Sequence, residues 1–154
     1  MPELLFRDNV GLVILNSERQ VFWGARKDRN SWQFPQGGME YGETPTMAMY
    51  RELKEEVGLS SESVVFLAES REWLSYEFPK PLPGLAGELV YGQRQKWFLL
   101  KFIGKDLDID LNAIEKPEFK EWRWVDYWYP IEHVVPFKKL VYQKVLHEFA
   151  EKLC

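Results

Sequence analysis

The sequence predicts a single α+β domain, and three observations carry the prediction. Short runs rich in branched and aromatic residues recur along the chain. Two other segments repeat their apolar residues at helical spacing, and 154 residues fit one core but not two. Mixed strands flanked by two helices imply an α+β arrangement or a three-layer α/β/α sandwich. Neither an internal repeat nor a linker interrupts the chain.

Val10 to Leu15 is apolar, Asn16 to Arg19 offers turn chemistry, and Val21 to Ala25 resumes a strand, so the first unit reads as a β-hairpin. Trp32 to Phe34 extends the sheet until Pro35 stops it. Gly37-Gly38 then requires a sharp turn or a close approach to something else. Thr44 supplies an N-cap and Pro45 a first helical position, while Gly58 stands where a C′ glycine ends a helix, which predicts a helix over 45–57. Ser63 to Phe78 and Gln95 to Ile103 read as strands. The three glycines and three prolines of PKPLPGLAGELVYG between them predict a long surface loop. Glu121 to Val125 is a further strand. Phe137 to Leu153 carries Leu140, Val141, Val145, Leu146 and Phe149 at helical spacing.

Composition excludes several classes. A hydrophobic content of 45% with seven Trp excludes a disordered tail, and the indoles are expected to pack in the core. The net charge of -4 argues against holding nucleic acid through a broadly basic face, so a polyanionic substrate needs local cations. Cys154 is the only cysteine, which leaves no disulfide framework and no thiolate zinc cluster. With neither a secretory leader nor a long apolar run, the expected location is the cytoplasm, without membrane contact. His133 and His147 lack metal-ligand spacing and are expected in surface or structural roles.

On a helical wheel of about 100° per residue, Glu55 and Glu56 fall within about 60° of Glu52, whereas Tyr50, Leu53 and Val57 take the other side. Like charges at this spacing cost a helix a few tenths of a kcal/mol per pair, and Arg51 is the nearby partner, paired with Glu55. Hard divalent cations favour all-oxygen ligands, so the cluster reads as half of a metal-phosphate site. From the helix alone, a solvated acidic face explains the pattern equally well.

The surroundings favour the metal. Gly37, Glu43 and the run Arg51-Glu52-Leu53-Lys54-Glu55-Glu56-Val57-Gly58-Leu59 match every fixed position of the Nudix box, G-x5-E-x7-R-E-U-x-E-E-x-G-U, over residues 37–59. The chain therefore resembles the Nudix hydrolases. Outside the box, RDNVGLVILN, SWQFPQGG, QKWFLL, PEFKEWRWVDYWYP and VVPFKK are similar to the bacterial RNA pyrophosphohydrolase branch, also described as dinucleoside polyphosphate hydrolases. The departure from that branch is greatest between Glu77 and Tyr91, where two glutamates accompany Lys80 as the only base.

The resemblance implies a Nudix-type α/β/α sandwich with a mixed sheet and a catalytic loop-helix-loop, binding Mg²⁺ with Mn²⁺ able to substitute. It implies metal ligation by Glu52, Glu55, Glu56, the Gly37 carbonyl and Glu118, with Glu52 or Glu118 as general base. Arg51 is expected to orient the carboxylates and Glu43 to brace the loop. Phosphate contacts are expected from Arg26, Lys27, Ser31, Gln93, Arg94 and Lys138, and stacking on a terminal base from Arg7, Tyr76 and Phe137. The implied activity is hydrolysis of a 5′-triphosphate or 5′-diphosphate RNA end to a monophosphate, with dinucleoside polyphosphate hydrolysis as the alternative and nucleotide-pool cleansing as a third reading. A non-hydrolytic nucleotide-binding module would be expected to have lost box carboxylates. The chain is expected to act as a monomer, with no protein partner specified.

Overall fold

The computed structural model describes residues 5–153, so Cys154 lies outside the described residues. Among these, eight strands form one mixed sheet. They are β1 (Leu5–Leu15), β2 (Gln20–Arg26), β3 (Trp32–Gln33), β4 (Gln36–Gly38), β5 (Val64–Glu69), β6 (Leu74–Pro83), β7 (Leu89–Phe102) and β8 (Phe119–Asp126). β1 runs parallel to β7, with Phe6 opposite Gly92 and Leu15 opposite Lys101. Every other pairing is antiparallel.

The central strand β1 is buried on both faces from Asn9 to Leu15, which is why it reads as a continuous apolar run. Alternation divides its side chains between two cores. Val10, Leu12 and Ile14, with Phe98 and Leu100, meet helix α1 (Pro45–Glu52) through Ala48 and Met49. On the other face Val13, Leu15, Trp97 and Leu99 meet helix α3 (Lys139–Phe149) through Val141, Tyr142, Val145, Leu146 and Phe149. The sheet is thus the middle layer of an α/β/α sandwich. A short α2 (Tyr129–His133) leads from β8 toward α3. No helix among the described residues is long and apolar enough to cross a membrane.

Four expectations need adjustment. The helix over 45–57 is α-helical only to Glu52; Leu53–Val57 winds as a wider π-helical turn, closed by Gly58 at φ 75°, a left-handed conformation that glycine adopts without a Cβ penalty. The expected strand 63–78 is two strands, broken around Ser70, whose Oγ accepts from Trp97 N at 3.0 Å. The expected loop 79–92 is instead an arm formed by β6 and β7. The arm tolerates its prolines because the ladder shifts register between Glu77 and Leu82, so Pro79 and Pro81 need donate nothing to a partner. The last helix is shorter than 137–153, flanked by 3₁₀ turns, and Leu140 is 61% exposed rather than in the core.

The expectation that the indoles pack in the core holds fully for Trp23 and Trp97, whereas Trp128 is 41% exposed. Both histidines lie against aromatic rings: His133 stacks on Tyr129 at 3.7 Å and His147 meets Trp128 at 5.0 Å.

Candidate active site

Thr44 Oγ1 accepts from Met47 N at 3.2 Å, which starts α1 and fixes the direction of its carboxyl-terminal glutamates. In the last turn of α1, Arg51 becomes a hub. It donates to Glu43 through Nε (2.7 Å) and Nη2 (2.9 Å), to Glu52 through Nη1 (2.8 Å), to Glu55 (3.2 Å) and to the Gly38 carbonyl (2.8 Å). The hydrogen bonds from Arg51 hold the Glu43 carboxyl down at about 2. Glu43 also accepts from Glu40 N at 2.7 Å, bracing the loop against the helix. The single positive charge of Arg51 is therefore shared between that brace and two members of the trio.

Oxygens of Glu52, Glu55 and Glu56 lie within 4.8 Å of one another. Glu52 is 6% and Glu56 9% exposed, while Glu55 is half-buried. Gly37 makes the packing possible, because a Cβ there would overlap the Glu52 carboxylate. Burial first, and then the neighbouring charges of Glu52, Glu118 and Glu55, push Glu56 up to about 7. Burial likewise pushes Glu52 up to about 7, against the opposing pull of Arg51. Glu56 Oε2 is buried with no hydrogen-bond partner. An orphaned carboxylate oxygen, in an all-oxygen trio with one shared cation, fits a hard divalent ion and fits little else.

Beside the trio opens a cleft of about 510 Å³. Gly37, Glu118, Arg7, Arg26, Tyr76, Gln93, Phe137 and Lys138 all line it, and Ser31 lines an adjoining recess of about 190 Å³. Glu118 stands outside the close trio, 3.3 Å from Arg26 Nε. That contact has ion-pair distance without hydrogen-bond alignment, since Arg26 Nε has no hydrogen-bond partner. Lys138 is 6% exposed; its Nζ donates to Gln33 Oε1 at 2.8 Å, and burial followed by the charge of Arg26 pushes it down to about 7.

Two expected phosphate contacts do not reach the cleft. Arg94 points to the opposite face of β7 from Gln93, where it pairs with Asp8 at 3.0 Å and lies 4.3 Å over the Trp73 ring. Lys27 is represented near the site by its backbone, which donates to the Glu118 carbonyl at 2.8 Å, and its side chain is absent from both linings. The expected stacking trio is also altered. Tyr76 is only 6% exposed and forms the floor, tilted against Phe137 at 5.6 Å, whereas Arg7 is exposed at the rim and donates to the Pro83 carbonyl at 3.2 Å. Sequence reading missed Arg29, Asn9, Gln33 and Gln36 in the lining. The signal available for two of them was polar Gln33 and Gln36 on either side of the strand break in SWQFPQGG.

A model of the NUDIX domain matches residues 5–149, and the chain belongs to the Nudix family. It is 53% identical over 146 residues to an RNA pyrophosphohydrolase of Francisella tularensis subsp. mediasiatica, covering 95% of this chain and 94% of the relative. It is 55% identical over 149 residues to an RNA pyrophosphohydrolase of Coxiella burnetii, covering 95% of this chain and 65% of the relative. Among solved structures, a C. elegans Ap4A hydrolase binary complex superposes with TM-score 0.69 at 22% identity, covering 94% of this chain and 98% of that one, a likeness of fold.

The raised carboxyls predict an unusual pH dependence. Folded Glu52 and Glu56 keep their protons to about 7, against an ordinary 4.5, so the folded state binds more protons between those values and stability falls as pH rises through them. Lys138, held down at about 7 against an ordinary 10.5, acts in the opposite sense but only above that window. The Tm of metal-free protein should therefore fall from about pH 5 to about pH 7, and saturating Mg²⁺ should flatten the slope. A rising Tm across the window would contradict the assignment.

Proposed function

We propose that the chain is a divalent-metal-dependent RNA 5′ pyrophosphohydrolase, converting a 5′-triphosphate or 5′-diphosphate end to a monophosphate. The observation that carries the reading is the juxtaposition of an undercompensated carboxylate trio with a cleft bearing Arg26 and Lys138 and flanked by Phe137. The relatives named as RNA pyrophosphohydrolases support the choice of substrate.

Nudix hydrolases generally use divalent metals such as Mg²⁺. Here Glu52, Glu55 and Glu56 would hold Mg²⁺, with the Gly37 carbonyl and Glu118 as further ligands and Mn²⁺ as a substitute. Such an ion supplies cancellation of charge on the phosphoanhydride oxygens and a nucleophilic water at neutral pH. Arg51 acts at one remove, fixing Glu52 and Glu55 through its Nη1. Glu52 is the better general base of the two carboxylates considered, because it stands within the trio with its carboxylate fixed by Arg51. Glu118 instead balances Arg26 at the cleft wall. Arg26 and Lys138 bind phosphate oxygens, Gln93 and Ser31 add neutral donors, and Phe137 with Arg7 flanks the terminal base above Tyr76. The protein acts in the cytoplasm as a monomer in this reading.

Dinucleoside polyphosphate hydrolysis is the second reading. It is favoured by the recess beyond Phe137, which shares Arg26 and Lys138 with the main cleft and offers space on the far side of the phosphates.

Glu56→Gln should lower kcat by ~100-fold or more while keeping the fold, because the amide preserves size but not charge. Near wild-type turnover at saturating Mg²⁺ would sink the ligand assignment.

Rates on a single-stranded 5′-triphosphate RNA, a blunt duplex of equal length and diadenosine tetraphosphate separate the two substrates. The RNA reading expects the single strand to be cleaved fastest, and Phe137→Ala to lower kcat/KM on it by about ten-fold, since a stacked base contributes about 1–3 kcal/mol. Equal rates on single strand and duplex, unaffected by Phe137→Ala, would favour the dinucleoside substrate.

A further inference from the structure

Beneath the cleft floor lies a chain of buried side-chain amides that the reaction described above does not use. Gln95 is fully buried and Asn9 is 2% exposed, so each polar atom they carry must find a partner inside the protein. The chain begins at Trp97, whose indole N–H can only donate; it donates to Gln95 Oε1 at 3.1 Å. Gln95 must then present its nitrogen outward, and Nε2 donates to Asn9 Oδ1 at 2.9 Å and toward Gln36 Oε1 at 3.4 Å. Lys138 Nζ, also donor only, approaches the same Gln36 oxygen at 3.5 Å. The orientation of the Gln36 amide is thus set from two sides. Its nitrogen is left to donate to the Tyr76 hydroxyl at 3.1 Å.

The consequence reaches the cleft. A Tyr76 oxygen already accepting from Gln36 turns its own hydrogen elsewhere. Gln93 stands beside it, and Gln93 Oε1 is buried without a partner. The Tyr76 hydroxyl does not reach that oxygen, so what the chain fixes at the cleft is the Gln36 amide, with its oxygen toward Lys138 Nζ at 3.5 Å and its nitrogen tied to the Tyr76 hydroxyl.

We infer that Gln95, Gln36 and Tyr76 form a one-way hydrogen-bond relay, in which Gln95 is a positioning residue that carries the donor-only polarity of the Trp97 indole to the substrate cleft. The relay fixes the Gln36 amide with its oxygen toward Lys138 Nζ and so positions a cation of the substrate cleft for an anionic phosphate oxygen. It rests on the reading of the cleft as a phosphate-binding site. It explains why a strand of the central core carries a polar residue at a position without solvent access.

Gln95→Leu cuts the relay at its root and Tyr76→Phe releases the Gln36 amide at its far end. On a 5′-triphosphorylated oligonucleotide at saturating Mg²⁺, each single variant should raise KM by about ten-fold with a much smaller change in kcat, since the carboxylate trio is untouched. The double variant should be no worse than the poorer single one, because both release the same Gln36 amide. KM losses that multiply in the double variant, or losses falling on kcat, would overturn the relay. Should Gln95→Leu fail to fold, Gln36→Leu replaces it in the same cycle with Tyr76→Phe, and the same two outcomes decide. A wild-type enzyme that leaves the RNA end intact would instead refute the proposed function; the relay would then be tested by the same cycle on diadenosine tetraphosphate.

Discussion

Two carboxylates taken out of water within contact distance of one another destabilise a fold unless something answers their charge, and the arrangement around Glu52 and Glu56 follows from that constraint. The protein's own answer is incomplete. Arg51 reaches Glu52 and Glu55 but is held most closely by Glu43, and Glu56 keeps one buried oxygen without a partner. Gly37 yields the space that Glu52 fills, and the wide turn from Leu53 to Val57 returns Glu56 to the same side while Leu53 and Val57 enter the core. The trio thus fits completion by a cation better than by another side chain, as the proposed function requires, and π-helical turns recur at functional sites for this kind of re-aiming.

The same constraint explains how a chain of net charge -4 handles a polyanion. Its cations are not spread as a basic face. Arg26 and Lys138 are brought to one cleft, where low solvent access would strengthen each contact with phosphate that the proposed function assigns to them. Lys138 is buried deeply enough to lose part of its hold on the proton, so an arriving anion restores it. Of the two acidic residues of the β6–β7 arm, Glu88 caps the hairpin tip through Ala86 N and Glu77 faces away from Tyr76, so neither lines the cavity. The acidity of this arm therefore stays outside the cavity.

The box and its helix were legible in the sequence because their information is local: a cap at Thr44, a proline at the first turn, a left-handed glycine at Gly58 and charges at fixed spacing. The layered fold was legible for the same reason, since β1 and α3 display their periods openly. What could not be read depends on pairing across the chain. Gln93 and Arg94 differ only in which side of β7 they occupy, and that is decided by register with β1 and β6. The prolines of the arm read as a loop because their pairing tolerance depends on a register shift that no local signal announces. Asn9, Gln36 and Gln95 are single polar residues within apolar strands, and their partnership exists only after β1, β4 and β7 have assembled.

Everything above depends on Glu52 and Glu56 sharing a site that is protonated near neutrality until a divalent ion displaces the protons. Calorimetric titration of metal-free protein with Mg²⁺, repeated at about pH 6.5 in buffers of different ionisation enthalpy, counts the protons released on binding. A net release is expected at that pH, diminishing toward pH 8 and reduced in Glu56→Gln. Mg²⁺ binding at the same affinity with no proton release at any pH would show that the carboxylates were already ionised and compensated, and would contradict it.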